Sequence, residues 1–118
     1  MQYMFLIYGD EAAEAQQTAA MRQAVLNEYF AFAREARQRG IMLAGDELQP
    51  VARARTVRRR GGKLVVTTGP FAETKEQLGG YFVLECQDLD EALALARKIP
   101  AARTGAVEVR PIATYDRG

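Results

Sequence analysis

The chain has 118 residues, of which 48% are hydrophobic and 26% are charged, and its formal net charge is +1. This length and composition predict one globular domain over residues 1–118 with a core that needs no disulfide bond, and the small net charge excludes a general attraction to nucleic acid or to an anionic membrane. The chain has no histidine, which removes the commonest transition-metal ligand, so we expect no tightly bound transition metal. Weak binding of Mg²⁺ or Ca²⁺ by carboxylates stays open, and no other cofactor is expected.

The single cysteine, Cys86, excludes an internal disulfide and is typical of a reducing compartment. No apolar run reaches the length of a membrane span, and the first residues lead directly into a strand rather than into a signal peptide. We therefore expect a cytoplasmic protein without a membrane partner.

The first half of the chain predicts a strand, a long helix and a second strand. Residues 3–8 are apolar at every position, whereas residues 11–17 are ambiguous between a loop and a frayed helical turn. Apolar residues recur at helical spacing over residues 18–39, and Gly40 supplies the stop. Residues 41–48 form the second predicted strand.

The second half predicts a hairpin, two strands and a helix between those strands. Residues 55–60 and 63–67 are expected to pair around Gly61-Gly62, a turn that requires positive φ. Strands are expected at residues 80–86 and 105–112, with Asp88 capping the helix between them. The predicted buried stripe of this helix is Leu89, Ala92, Leu93, Ala96 and Ile99. Residues 115–118 are expected to form a loose tail.

This order of elements predicts an α+β fold of the ferredoxin-like split β-α-β type with an inserted β-hairpin. In that fold both helices cover one face of the sheet, yet the first strand is apolar on both sides: Tyr3, Phe5 and Ile7 point one way, and Met4, Leu6 and Tyr8 the other. Something must cover the second face. The candidates are a second copy, which would make a homodimer, and the inserted hairpin.

The segment between the hairpin and the next strand carries charged residues on a backbone shaped by glycine and proline, which is a common location for functional residues. Glu73 and Lys75 can act together as a base and an electrostatic partner, or they can be solvated charges. The segment reads Gly69-Pro70-Phe71-Ala72-Glu73-Thr74-Lys75-Glu76, followed after one residue by Leu78-Gly79-Gly80-Tyr81.

This motif closely resembles the signature of the DGPF proteins, a branch of the YCII-related superfamily, and matching segments extend from residues 4–8 to residues 107–111. The resemblance implies the ferredoxin-like fold and a homodimer of the dimeric α+β barrel type, in which two sheets pack face to face. The acid that gives the branch its name is Thr68 here, so an acid role at that position is in doubt.

Members of the family carry an acid where Asp46 falls, and Asp46 shares a strand face with apolar residues; the alternative is that Asp46 caps a turn. Relatives outside the branch place a histidine on the first helix, and an ungapped count puts Glu28 near that position. The predicted catalytic residues are Asp46, Glu73 and Lys75. The predicted ligand-binding residues are Glu28, Thr68, Gly69, Pro70, Phe71, Gly79 and Tyr81. Asp46 and the loop at residues 73–75 are expected to border one pocket.

Two classes of function stay open. The resemblance implies lyase-like or dehydrohalogenase-like chemistry on a small polar or aromatic molecule. It also implies a non-catalytic module that binds a ligand or a regulatory partner, because genes of this branch often lie beside those of extracytoplasmic-function sigma factors. A pocket with converging polar groups would favour the enzyme, and a flat loop with exposed apolar residues would favour the module.

The predicted hairpin concentrates positive charge. Aromatic residues that would stack on bases do not interleave with these cations, so we do not expect nucleic-acid binding. A charged hairpin that discourages edge-to-edge strand pairing is the better interpretation. The basic residues are Arg53, Arg55, Arg58, Arg59, Arg60 and Lys63.

Overall fold

A computed structural model describes residues 1–115; the last three residues of the predicted tail lie outside this part. The helices and strands follow the predicted order. They are β1 (Gln2–Gly9), α1 (Glu11–Glu14), α2 (Ala19–Gln38), β2 (Met42–Glu47), a 3-10 turn (Val51–Arg53), β3 (Arg55–Arg60), β4 (Lys63–Thr68), β5 (Gln77–Glu85), α3 (Leu89–Ala96), α4 (Ala101–Thr104) and β6 (Ala106–Pro111).

Four strands form the main sheet in the order β2-β5-β1-β6, and every neighbouring pair is antiparallel. Strand β5 lies between β1 and β2, so the β1-α2-β2 unit is a split β-α-β. The predicted α+β ferredoxin-like fold is therefore confirmed. No helix in residues 1–115 combines the length and the apolar character needed to cross a membrane.

The hydrophobic core lies between the helices and one face of this sheet. Phe5 and Leu84 are fully buried there, and the ring of Phe82 meets the ring of Phe32 of α2 at a centroid distance of 5.1 Å. Tilted aromatic pairs at such distances stabilise cores beyond their buried area. The side chains on alternate positions of β1 and β5 consequently face away from the core.

Helix α3 buries a different stripe from the one predicted. Ala92, Ala96 and Ile99 are buried as expected, but Leu95 joins them, whereas Leu89 and Leu93 are exposed. The prediction for the two exposed leucines was wrong. The buried positions follow the i, i+3, i+4, i+7 spacing from Ala92.

Asp88 caps α3 as predicted, because its Oδ1 accepts a hydrogen bond from the backbone N–H of Glu91 at 2.9 Å. Replacing Asp88 with alanine is expected to lower the free energy of unfolding by about 1 kcal/mol, since one N–H of the first turn loses its acceptor. Asp90→Ala, in the same turn, is the control and should change stability less. Urea unfolding of the two variants checks this, and equal effects would contradict it.

Strands β3 and β4 form a two-stranded sheet of their own, paired from Arg55↔Thr68 to Arg60↔Lys63. Gly61 and Gly62 at its tip have φ of 56° and 78°, as the predicted turn requires. We call residues 55–68 the arm. Within the described residues its strands pack mainly on each other rather than on the rest of the domain. The radius of gyration is accordingly 16.5 Å, against about 13.5 Å for a compact domain of this length.

Candidate functional site

The face of the sheet that lies away from the helices, here called the open face, combines apolar and polar side chains. Its centre holds Met4, Leu6 and Val83, which are partly exposed. The strand register defines one row across all four strands, namely Asp46, Tyr81, Leu6 and Glu108. The next row is Ala44, Val83, Met4 and Arg110. An apolar strip is therefore flanked at both edges by charged groups.

Asp46 and Tyr81 form the polar pair at the β2 edge of the open face. The Tyr81 hydroxyl donates a hydrogen bond to Asp46 Oδ2 at 2.9 Å. This bond, and then the charge of the carboxylate, raise the pKa of Tyr81 above its usual value. A tyrosine hydroxyl is protonated at neutral pH, so Tyr81 acts as the hydrogen-bond donor, while the second carboxylate oxygen of Asp46 can accept a proton.

A second tyrosine and acid lie at the opposite edge. The Tyr8 hydroxyl is 3.4 Å from Glu108 Oε1, and Arg110 Nε donates to Glu108 Oε2 at 2.7 Å. Sequence reasoning missed these residues. Writing β6 against β1 as antiparallel partners would have placed Glu108 and Arg110 on the same face as Leu6 and Met4.

The loop at residues 69–76 is held at both ends. Gly69, with a φ of 97°, donates its N–H to Ala54 O at 2.8 Å. At the other end the Gln77 side chain donates to Thr74 O at 2.6 Å and accepts from the N–H of Glu11 at 3.0 Å. Between these anchors the side chain of Phe71 is 76% exposed.

The structure distributes the predicted site residues over four places: the open face, a bulge of β5, the base of the arm with the loop that follows it, and helix α2. Asp46 and Tyr81 meet on the open face. Gly79 lies at a bulge of β5, where its carbonyl accepts from the N–H of Leu48 at 2.8 Å. Thr68, Gly69, Pro70 and Phe71 lie at the base of the arm, and Glu73 and Lys75 are exposed in the loop that follows.

A groove of about 290 Å³ lies against one side of the arm. It includes two of the predicted residues and none of the predicted catalytic ones. That Asp46, Glu73 and Lys75 border one pocket therefore stays a prediction. The groove is lined by Arg58, Arg60, Val65, Thr67, Pro70 and Phe71.

Glu28 lies on α2, on the helical side of the sheet. Its carboxylate forms a two-point ion pair with Arg103, with N–O distances of 2.9 and 3.0 Å. The structure therefore does not bring Glu28 together with Asp46, because the sheet separates them. In residues 1–115, no three acidic or cysteine side chains are grouped as a metal site would require.

The Asp46–Tyr81 hydrogen bond should be detectable in the titration of the Tyr81 hydroxyl. Because the folded pKa of Tyr81 is raised from 10.0, the bond stabilises the fold below about pH 10 and this contribution is lost as the pH rises through the folded pKa. Replacing Asp46 with asparagine should lower the pKa of Tyr81. Tyrosine titration followed by NMR of labelled rings measures this, and an unchanged pKa for Tyr81 in Asp46→Asn would refute the pairing.

The fold and this face together define an α+β ferredoxin-like domain with an open sheet face that carries tyrosine–carboxylate pairs. The family model of the YCII-related domain matches residues 1–116. An uncharacterised protein of Rhizobium meliloti (strain 1021) is 38% identical over 120 residues, an alignment that covers 100% of this chain and 97% of that protein. The chain therefore belongs to the YCII-related family.

Proposed function

We propose that this protein is a homodimeric enzyme in which Asp46 acts as a general base on a small polar or aromatic molecule, with lyase-like chemistry. The observation that carries this proposal is the Tyr81–Asp46 hydrogen bond of 2.9 Å on the open face. A carboxylate oriented by a tyrosine beside an apolar surface has the parts that proton transfer needs, namely a base, a donor and a place for the carbon skeleton of a substrate.

The open face supports the dimer because its centre is apolar. Met4, Leu6 and Val83 are only partly covered within one chain, and the arm does not pack on them as a cover. A second sheet placed on this face would remove the apolar strip from water. It would also enclose the Asp46–Tyr81 pair in a cleft between two subunits, as the dimeric α+β barrel arrangement requires.

The proposed reaction is an elimination. The second oxygen of Asp46 takes a proton from a C–H bond of the substrate, the electron pair of that bond forms a double bond, and the leaving group departs with its own bonding pair. Tyr81 keeps the carboxylate in one orientation, because its hydroxyl donates a hydrogen bond to Oδ2.

A thermal-stabilisation screen of small carboxylic, halogenated and aromatic compounds tests the proposal. We expect at least one compound to stabilise the wild-type protein, and Asp46→Asn and Tyr81→Phe each to weaken its binding by about tenfold or more. The two effects should be non-additive because the residues share one hydrogen bond. Glu35→Gln, on α2 and paired with Lys98, is the control. Undiminished binding by both site variants would refute the proposal.

The second candidate is a non-catalytic module that binds a regulatory protein such as a sigma factor. The exposed loop at residues 71–76 favours it, because Phe71 presents its ring to solvent. Binding of a compound at Asp46 without proton exchange or turnover would favour this second function.

The motif at residues 69–81 supports membership of the DGPF branch. The unpaired, buried Cys86 supports a cytoplasmic location.

A further inference from the structure

The arm lacks the packing that a hairpin of its size needs. Two-stranded hairpins are marginally stable in water unless one face packs on another element. Strands β3 and β4 nevertheless pack chiefly on each other within the described part of the chain. The arm therefore has a face that the other elements of residues 1–115 leave largely uncovered.

One side of the arm is apolar at its centre. Val57 and Val66 are directly paired, and Leu64 is paired with Arg59 two positions further towards the tip. The exposed fractions of Val57, Leu64 and Val66 are 60%, 62% and 56%. The opposite side carries Val65 together with the basic groove. The two sides of the arm thus differ in character, and the apolar side is the one that needs a cover.

The charge of the arm is complementary to the rest of the chain. The arm, residues 55–68, contains four arginines, one lysine and no acid, and the whole chain has a formal charge of +1, so the remaining residues together carry −4. Asp10 caps α1, and Glu11 and Glu14 lie in the first turn of this helix. Burial, and then the charges of Glu11, Asp10 and Glu47, raise the pKa of Glu14, as like charges near a carboxyl do.

The arm of one chain cannot neutralise the acids of the same chain with its tip. Glu11 Oε2 accepts from the N–H of Val51 at 3.1 Å, which places the acids beside the base of the arm. A six-residue strand then carries the tip cations Arg59, Arg60 and Lys63 about 20 Å away. The acids of a second copy are not subject to this distance, so a second copy is the occupant that the charge complementarity favours.

We infer that the arm docks on a second copy of this chain, which covers Val57, Leu64 and Val66. Arg59, on the same side as Leu64, and the other cations at the tip then lie near Asp10, Glu11, Glu14 and Glu47 of that copy. This inference rests on the proposed homodimer only in one respect, namely that the partner covering the apolar side of the arm is a second copy of the chain. It adds a second contact, separate from the open face, through which the subunits hold each other reciprocally.

A matched pair of substitutions tests the apolar side. Val66→Lys is expected to weaken self-association by about tenfold or more, because it places a charge in the proposed contact. Val65→Lys puts the same charge on the adjacent residue of the opposite side and should leave self-association unchanged. Both positions are exposed, so both variants should fold. Equal dissociation constants for the two variants, by sedimentation equilibrium, would overturn the inference.

A charge exchange tests the choice of occupant. Arg59→Glu/Arg60→Glu and Glu14→Lys/Glu47→Lys should each self-associate about tenfold more weakly than wild type. Their equimolar mixture should form a heterodimer, because both of its contacts then join opposite charges. Arg22→Glu/Arg34→Glu on α2 is the control. Native mass spectrometry identifies the species formed.

Two outcomes of this experiment would overturn the inference. One is that Arg59→Glu/Arg60→Glu self-associates as strongly as the wild type. If Leu6→Glu abolishes association in the same assay, the proposed dimer through the open face stands and only the contact of the arm is refuted. The other is a protein that stays monomeric and binds an oligonucleotide through the arm, since the covering partner would then be a polyanion rather than a second copy.

Discussion

Replacing Leu6 with glutamate is expected to convert the protein from dimer to monomer at micromolar concentration. Leu6 lies in the row between Tyr81 and Glu108, at the centre of the apolar strip that the proposed dimer buries. Burying an unpaired carboxylate there costs about 3 kcal/mol or more, which corresponds to at least about a hundredfold weaker association. The fold itself should persist, since Leu6 is not part of the core between sheet and helices.

Sedimentation velocity over a range of concentrations measures this change. Ala31→Glu, an equally new charge at an exposed position of α2, should leave the dimer intact. A wild-type protein that sediments as a monomer would contradict the account directly. So would a Leu6→Glu variant that dimerises as the wild type does.

Replacing Gly45 with alanine is expected to destabilise the fold by about 1–3 kcal/mol and to disturb the candidate site. A Cβ at Gly45 would lie 2.6 Å from Cδ1 of the Phe82 ring, and that ring is packed against Phe32 in the core. The ring or strand β2 must therefore move. Because Asp46 is the next residue, movement of β2 also alters its distance to Tyr81.

The control for this prediction is Gly79→Ala. A Cβ at Gly79 would have its nearest neighbour, Ile7 O, at 3.9 Å, which is an ordinary contact. Thermal unfolding and the titration of Tyr81 report the two consequences separately. If Gly45→Ala kept the wild-type stability and the wild-type pKa of Tyr81, the Phe82 ring could move aside without loss of free energy, and the prediction would be wrong.

The order of elements and the fold class could be predicted from the sequence because the signals are local. Apolar runs, the Asp88 cap and the Gly61-Gly62 turn each act within a few residues. The stripe of α3 was mistaken at Leu89 and Leu93 because leucines outnumber the positions that the sheet can cover, and their hydrophobicity alone does not say which side of the helix faces it.

The candidate site could be predicted only in part, because it depends on strand register. Asp46 and Tyr81 were named separately, but their pairing follows from the alignment of β2 with β5. Irregularities between Met42 and Ala44, and between Ile7 and Tyr8, shift that alignment, and bulges change which residues face each other in ways that alternation does not reveal. For the same reason Tyr8, Glu108 and Arg110 were missed.

Local sequence signals also could not predict that the arm lies apart from the main sheet. Its pairing and turn were predicted correctly. Whether such a hairpin lies on the open face or away from it depends on long-range packing, and the structure shows it away from that face. This leaves the apolar strip and the apolar side of the arm as two separate surfaces that need a cover.

The central claim, that Asp46 removes a proton from a bound small molecule, is tested most directly by hydrogen–deuterium exchange at carbon. A compound that stabilises the wild-type protein is incubated with it in D2O, and the C–H signals are followed by proton NMR. We predict that the wild-type protein catalyses loss of one C–H signal and that Asp46→Asn slows this by about a hundredfold or more. Exchange at the wild-type rate in Asp46→Asn, or binding without exchange in the wild type, would contradict the claim.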